Sequence, residues 1–171
     1  MKLLVTGGAG FIGSNFIRHW LREHPSDDVV NYDALTYAGN LENLADIADN
    51  AHYRFVKGDI GDYNTARAAL EGVNVVVNFA AETHNDRSMI DPGLFVKTNV
   101  LGTHHLLEAV RAAHLESRVL VPGSALVYRP SDRALAEDAT IGPQSPYATS
   151  KLAQELLGVR AAHEDGLPVF L

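Results

Sequence analysis

The run VTGGAGFIGSNF, residues 5 to 16, constrains the fold more than any other stretch. It sets Gly7, Gly10 and Gly13 three residues apart, directly after a short apolar segment. One glycine permits a tight turn, another lets a backbone approach a diphosphate, and a third lets a helix pack close to a strand. A helix starting near Phe11 would then direct its unpaired N–H groups and positive dipole end at the phosphates. A glycine triplet alone is weak evidence. With a strand before it and a helix after it, this one predicts the first β–α turn of a dinucleotide-binding sheet.

The rest of the chain keeps that rhythm. Strand-length apolar runs fall at 3–6, 29–33, 53–57, 75–79, 118–122 and 168–171. They are nearly continuous in apolar character, as in parallel strands buried on both faces. Between them lie helix-length segments at 11–24, 41–48, 64–70, 95–114 and 147–163. In the segment 95–114, Val96, Val100, Leu101, Leu107 and Val110 read as an apolar stripe. The alternation predicts an α/β fold: a Rossmann-like, doubly wound parallel sheet in three α/β/α layers. Residues 1–171 read as one NAD(P)-binding domain. The stretch from Tyr128 to Pro146 carries three prolines and reads as an active-site loop.

The formal net charge of −7 argues against non-specific binding to nucleic acid or to an anionic membrane. No stretch is long and apolar enough to span a bilayer. With no cysteine there can be no disulfide or thiolate metal site, which fits a cytoplasmic location. His104 and Glu108 stand at i and i+4 but find no third ligand, so no metal is expected. Trp20 reads as packing.

Individual residues carry the chemistry. Asp33 ends strand two, where a carboxylate accepts from ribose hydroxyls and repels a 2′-phosphate, so NAD is preferred over NADP. Arg18 and Arg54 are charges that could blur the preference. Asp59 and Ile60, after strand three, are placed to meet adenine, although an aspartate after a strand is also a common helix cap. SPYATSK sets Tyr147 and Lys151 at i and i+4, on one helical face. A phenol beside an ammonium becomes a usable acid/base. Ser124, after strand five, completes a Ser–Tyr–Lys set that can hold a substrate oxygen while a proton moves. His84, Asp86 and Arg87 share the loop after strand four, where substrate contacts gather. A structural salt bridge is the plainer reading of that trio.

Together these residues resemble the extended short-chain dehydrogenase/reductases that act on nucleotide sugars. Residues 1–115 look most like dTDP-glucose 4,6-dehydratases, on MKLLVTGGAGFIGSNF, YDALTYAGNLENL, FVKGDI, AAETHNDRS and TNVLGTHHLLEA. The resemblance implies that Gly7, Gly10, Phe11, Ile12 and Gly13 bind the pyrophosphate. It implies that Asp33 binds ribose, Asp59 and Ile60 bind adenine, and Ala80, Ala81 and Glu82 line the nicotinamide side with Tyr147 and Lys151. Asn99 would shape the substrate site.

Residues 119–171 look more like GDP-4-keto-6-deoxymannose reductases and sugar 4-epimerases. The dehydratases carry an Asp–Glu pair after strand five, where this chain has Ala125 and Leu126. Those two side chains cannot move protons, so the expectation is hydride transfer at a sugar hydroxyl or ketone, without dehydration. The change near residue 116 leaves two readings open, a natural hybrid-looking member and a recombined or designed chain. GLPVFL ends the chain on a strand, and full-length members continue into a substrate domain. A truncated or minimal domain is therefore expected, and a non-catalytic fold module is the rival reading. Helices 95–114 and 147–163 pair across a homodimer interface in relatives, and the same pairing is expected here.

Overall fold

The computed structural model describes residues 1–113 and 118–171. The expected change near residue 116 and the end of the helix expected at 114 lie outside the described residues. Six parallel strands form one sheet: β1 (Lys2–Thr6), β2 (Asp28–Asp33), β3 (Tyr53–Lys57), β4 (Val75–Asn78), β5 (Arg118–Leu120) and β6 (Val169–Phe170). Their spatial order is β3-β2-β1-β4-β5-β6, the doubly wound Rossmann arrangement. Winding reverses between β1 and β4, which opens a crevice at their carboxyl ends.

The continuous apolar runs follow from burial on both faces. In β1, Leu4 packs into one core with Val30, Tyr32, Val76, Leu106 and Val110. Its neighbours Leu3 and Val5 point the other way, into a second core with Ile17, Leu21, Val29 and Val77. Successive strand residues alternate faces, so a strand covered on both sides must be apolar at every position.

Helix α1 (Phe11–Glu23) covers one face, and a 3-10 helix (Leu41–Ile47) packs against it. Trp20 packs there as expected, with ring centroids 5.7 Å from Phe16 and 4.3 Å from His24. Helix α2 (Tyr63–Ala69) is capped by Asp62, whose side chain accepts from the N–H groups of Asn64 and Thr65. The cap therefore sits three residues beyond Asp59, whose Oδ1 accepts from Gly61 N–H at 2.8 Å. Two short helices, α3 (Asn85–Ile90) and α4 (Pro92–Phe95), follow β4. Helix α6 (Pro146–Glu164) starts on Ser145, whose Oγ accepts from Ala148 N–H at 3.1 Å.

The single helix expected over 95–114 is not what forms. After α4 comes a π-helical segment, Val96–Gly102, and then α5, Thr103–Ala112. Asn99, Gly102 and Thr103 are buried, while Val96 and Leu101 are exposed. Only Leu107 and Val110 of the expected stripe lie in the core. The stretch after Tyr128 is also more ordered than a plain loop. It folds back on itself through an antiparallel bridge between Tyr128 and Ile141.

Candidate functional site

The sheet topology brings the glycine turn, the end of β2, the end of β3 and the segment after β4 to one cleft of about 390 Å³. Gly7, Gly10, Phe11, Ile12, Gly13, Asp33, Asp59, Ile60, Ala80, Ala81 and Glu82 all line it, and so does His84. Every cofactor residue expected before α6 is therefore in one place.

The turn has the required closeness. Gly7 adopts φ +65°, and a Cβ there would stand 2.6 Å from Ala80 N. A Cβ on Gly13 would stand 2.3 Å from Gly7 O. Only hydrogen fits at either position, so the turn is pinned between α1 and β4. Gly10 caps α1 without any side-chain oxygen, leaving the first N–H groups of that helix open to a ligand.

Asp33 is buried at the cleft wall. Its Oδ2 accepts from Ala9 N–H at 2.9 Å and its Oδ1 from Leu35 N–H at 2.8 Å. The two bonds fix the carboxylate in place and leave each oxygen a further lone pair. Arg18 is committed elsewhere, to Asp46 at 2.9 Å and to the Asn43 carbonyl. The β3–α2 turn is held from both sides. Tyr32 donates its hydroxyl to Asp59 O at 2.9 Å, and the His105 ring donates to Gly61 O at 2.7 Å. His105 is thus a structural tie, and no group of three metal-binding side chains gathers among the described residues.

Glu82 stands apart. It is buried in the cleft wall, and its Oε2 has no hydrogen-bond partner among the described residues. A buried carboxylate oxygen without a donor is costly. The hydroxyls and carboxamide of a dinucleotide supply the missing donor chemistry. With the glycine cradle and the uncapped helix end, this makes the cleft a fit for NAD.

Asn99 lies behind the cleft wall and not in its lining. It is completely buried, and its amide clamps the backbone of Glu82. Oδ1 accepts from Glu82 N–H at 2.8 Å, and Nδ2 donates to Glu82 O at 3.0 Å and to Ser150 Oγ at 2.9 Å. It shapes the cleft wall from behind. Among the described residues Arg87 makes no salt bridge and instead lies 3.7 Å above the Tyr37 ring. Neither it nor Asp86 lines the cleft. The loop after β2, through Thr36, Ala38 and Gly39, does line it, although no site role was expected for these residues.

The second half of the expected site lies on α6 and after β5. Tyr147 is half-buried, its ring edge-on to Phe95 at 6.2 Å. Ser124 caps a one-turn 3-10 helix, Ala125–Val127, its Oγ accepting from Leu126 N–H at 3.3 Å. Lys151 is buried and donates to Pro122 O at 2.7 Å and to Gln154 Oε1. Burial lowers its pKa from 10.5 to about 8, and Glu155 opposes that shift. A second cavity of about 600 Å³ opens beside these elements. Its walls include Ala125, Leu126, Tyr128, Arg129, Gln144 and Ser145.

Comparison with known proteins agrees with this architecture. A dTDP-glucose 4,6-dehydratase from Streptomyces niveus is 42% identical over 173 residues, covering 99% of this chain and 52% of the relative. The structure of a dTDP-glucose 4,6-dehydratase from Streptomyces venezuelae, with NAD and TYD bound, superposes with a TM-score of 0.94 at 42% identity. That match covers 99% of this chain and 54% of the other. A UDP-glucose 4-epimerase from Brucella ovis, in complex with NAD, gives a TM-score of 0.86 at 31% identity, covering 98% and 50%. The chain thus spans about half the length of the relatives it matches. The family described as GDP-mannose 4,6 dehydratase matches residues 4–171, across the position of the expected change near 116. With a match that leaves out only three residues, the chain belongs to that family.

Proposed function

We propose that residues 1–171 form the NAD-binding unit of a nucleotide-sugar oxidoreductase. The observation that carries this reading is the convergence on one cleft of the glycine turn, Asp33 and Glu82, whose Oε2 has no hydrogen-bond partner among the described residues. Asp33 would accept from the adenosine ribose, and its negative charge selects NAD over NADP. NAD, when bound, takes up or gives back a hydride at the nicotinamide ring. The chain's own residues do the rest. Tyr147 holds and releases the proton of a sugar hydroxyl or ketone, Ser124 donates to the same oxygen, and Lys151 steadies the phenolate. His84, in the cleft wall, is the residue of its loop best placed to touch substrate.

Ala125 and Leu126 offer no proton-transfer group, so the reading excludes elimination of water by this segment. The exposed Val96 and Leu101 beside α5, with Leu156 and Val159 on α6, suit pairing with a second copy of the chain. A cytoplasmic location agrees with the lack of cysteine and with the lack, among the described residues, of any helix able to cross a membrane.

Calorimetric titration with NAD and NADP tests the reading. Saturable binding that prefers NAD is expected. Tyr147→Phe should keep that binding and remove any sugar-dependent NADH formation. A folded chain that binds neither dinucleotide would leave only the fold module.

A further inference from the structure

A line of buried polar side chains runs behind the cleft, from β1 to α6. Thr6, Asn78, Thr103, Gln154 and Lys151 are each at most 6% exposed. Ala80 N–H, in the cleft wall, donates to Thr6 Oγ1 at 3.2 Å, and Thr6 Oγ1 donates to Asn78 Oδ1 at 2.6 Å. Gln154 Nε2 donates to Thr103 Oγ1 at 2.7 Å, where Asn78 Nδ2 makes a longer contact of 3.5 Å. Gln154 Oε1 accepts from Lys151.

The directions of these bonds are not free. An ammonium has three donors and no acceptor, so the oxygen end of the Gln154 amide must face Lys151. Nε2 is then forced toward Thr103. A glutamine at this depth is costly unless both ends are bonded, and here both are. An apolar side chain would fill the same space without that cost. Packing alone therefore does not account for Gln154.

We propose that Gln154 is a positioning residue for Lys151: its amide, anchored on Thr103, aims the ammonium and holds it protonated in a buried place. The proposal rests on Lys151 serving the site described above. Gln154 itself touches neither the cleft nor a substrate position. It acts through the lysine, and the shared line of bonds ties that lysine to the wall at Ala80.

The surrounding charges leave this role to Gln154. Glu155 is the one charge with a resolved effect on Lys151 among the described residues. On the elements packed against α6, Glu108 pairs with Arg111 and Arg160, His105 with Gly61 O, and Arg87 with Tyr37. Asp86 and Lys97 are exposed, and His104 is half-buried.

The test reads Lys151 directly. In the full chain labelled with ¹³C and ¹⁵N at lysine, NMR follows the side chain against pH, and Lys151→Arg identifies its signal. The wild-type midpoint is expected near 8. Gln154→Met removes one of two acceptors and should lower it by about one pH unit. Gln154→Glu, of the same shape, should raise it by about one unit or more, and keeps the test alive if the methionine variant does not fold. A midpoint that stays put in a folded variant overturns the proposal. NAD titration of the wild type separates the two readings. A lysine that follows residue 154 in a chain that binds no NAD would refute the cofactor function and keep the positioning role. NAD binding with a lysine indifferent to residue 154 would do the reverse.

Discussion

Replacing Asn99 with leucine removes three buried hydrogen bonds at once. The shape is nearly conserved, so packing changes little. The loss falls on the partners. Ser150 Oγ keeps its bond to Tyr147 O at 2.7 Å and is still satisfied. The N–H and C=O of Glu82 lose the amide that clamped them. Each buried backbone group left without a partner costs about 1–3 kcal/mol, so the variant should lose about 2–6 kcal/mol of stability. Urea unfolding followed by the fluorescence of Trp20, the one tryptophan, measures this. Glu82 also forms the cleft wall, so NAD affinity should fall by at least about tenfold, or about 1.4 kcal/mol, in the fraction that remains folded. A loss below about 1 kcal/mol with an unchanged m-value would refute the reasoning. It would mean that water or a backbone shift satisfies Glu82, and that Asn99 does not organise the wall.

Two other outcomes follow from burial and exposure. Lys151 has a native pKa near 8 against an ordinary 10.5, so the native state releases its proton first as pH rises. Stability should therefore climb between those values, and relative to Lys151→Met the wild type should gain ~2 kcal/mol from neutrality to about pH 9.5; parallel pH profiles would exclude the buried ammonium. If the exposed apolar residues of α6 and its neighbour pair two copies, sedimentation should show a dimer that Leu156→Glu with Val159→Lys converts to monomer; a wild-type monomer at micromolar concentration would remove that surface from consideration.

Much of the fold was legible because its signals are local. Glycine at 7, 10 and 13 is demanded by close backbone approach, and continuous apolar runs are demanded by strands covered on both faces. Those two facts are enough to imply the sheet and the cleft at its carboxyl edge. The short α3 was missed because six residues, NDRSMI, are too few to display a helical period. The segment around Asn99 was misread because the apolar stripe was sought among Val96, Val100 and Leu101, and a buried polar side chain gives no apolar signal. The inward face there carries the polar Asn99 and Thr103, four residues apart, while Val96 and Leu101 point outward.

Gln154 shows the deeper limit. In KLAQELLG it reads as an ordinary polar residue on a helix surface. Its meaning comes from Thr103 and Lys151, which reach it only once α5 and α6 pack together over the sheet. Sequence by itself determined the six strands, their parallel arrangement and the cofactor turn, since each depends on steric and apolar patterns within a few residues. The tertiary structure alone decided which buried polar groups find partners, because a hydrogen bond between distant residues has no local pattern to announce it.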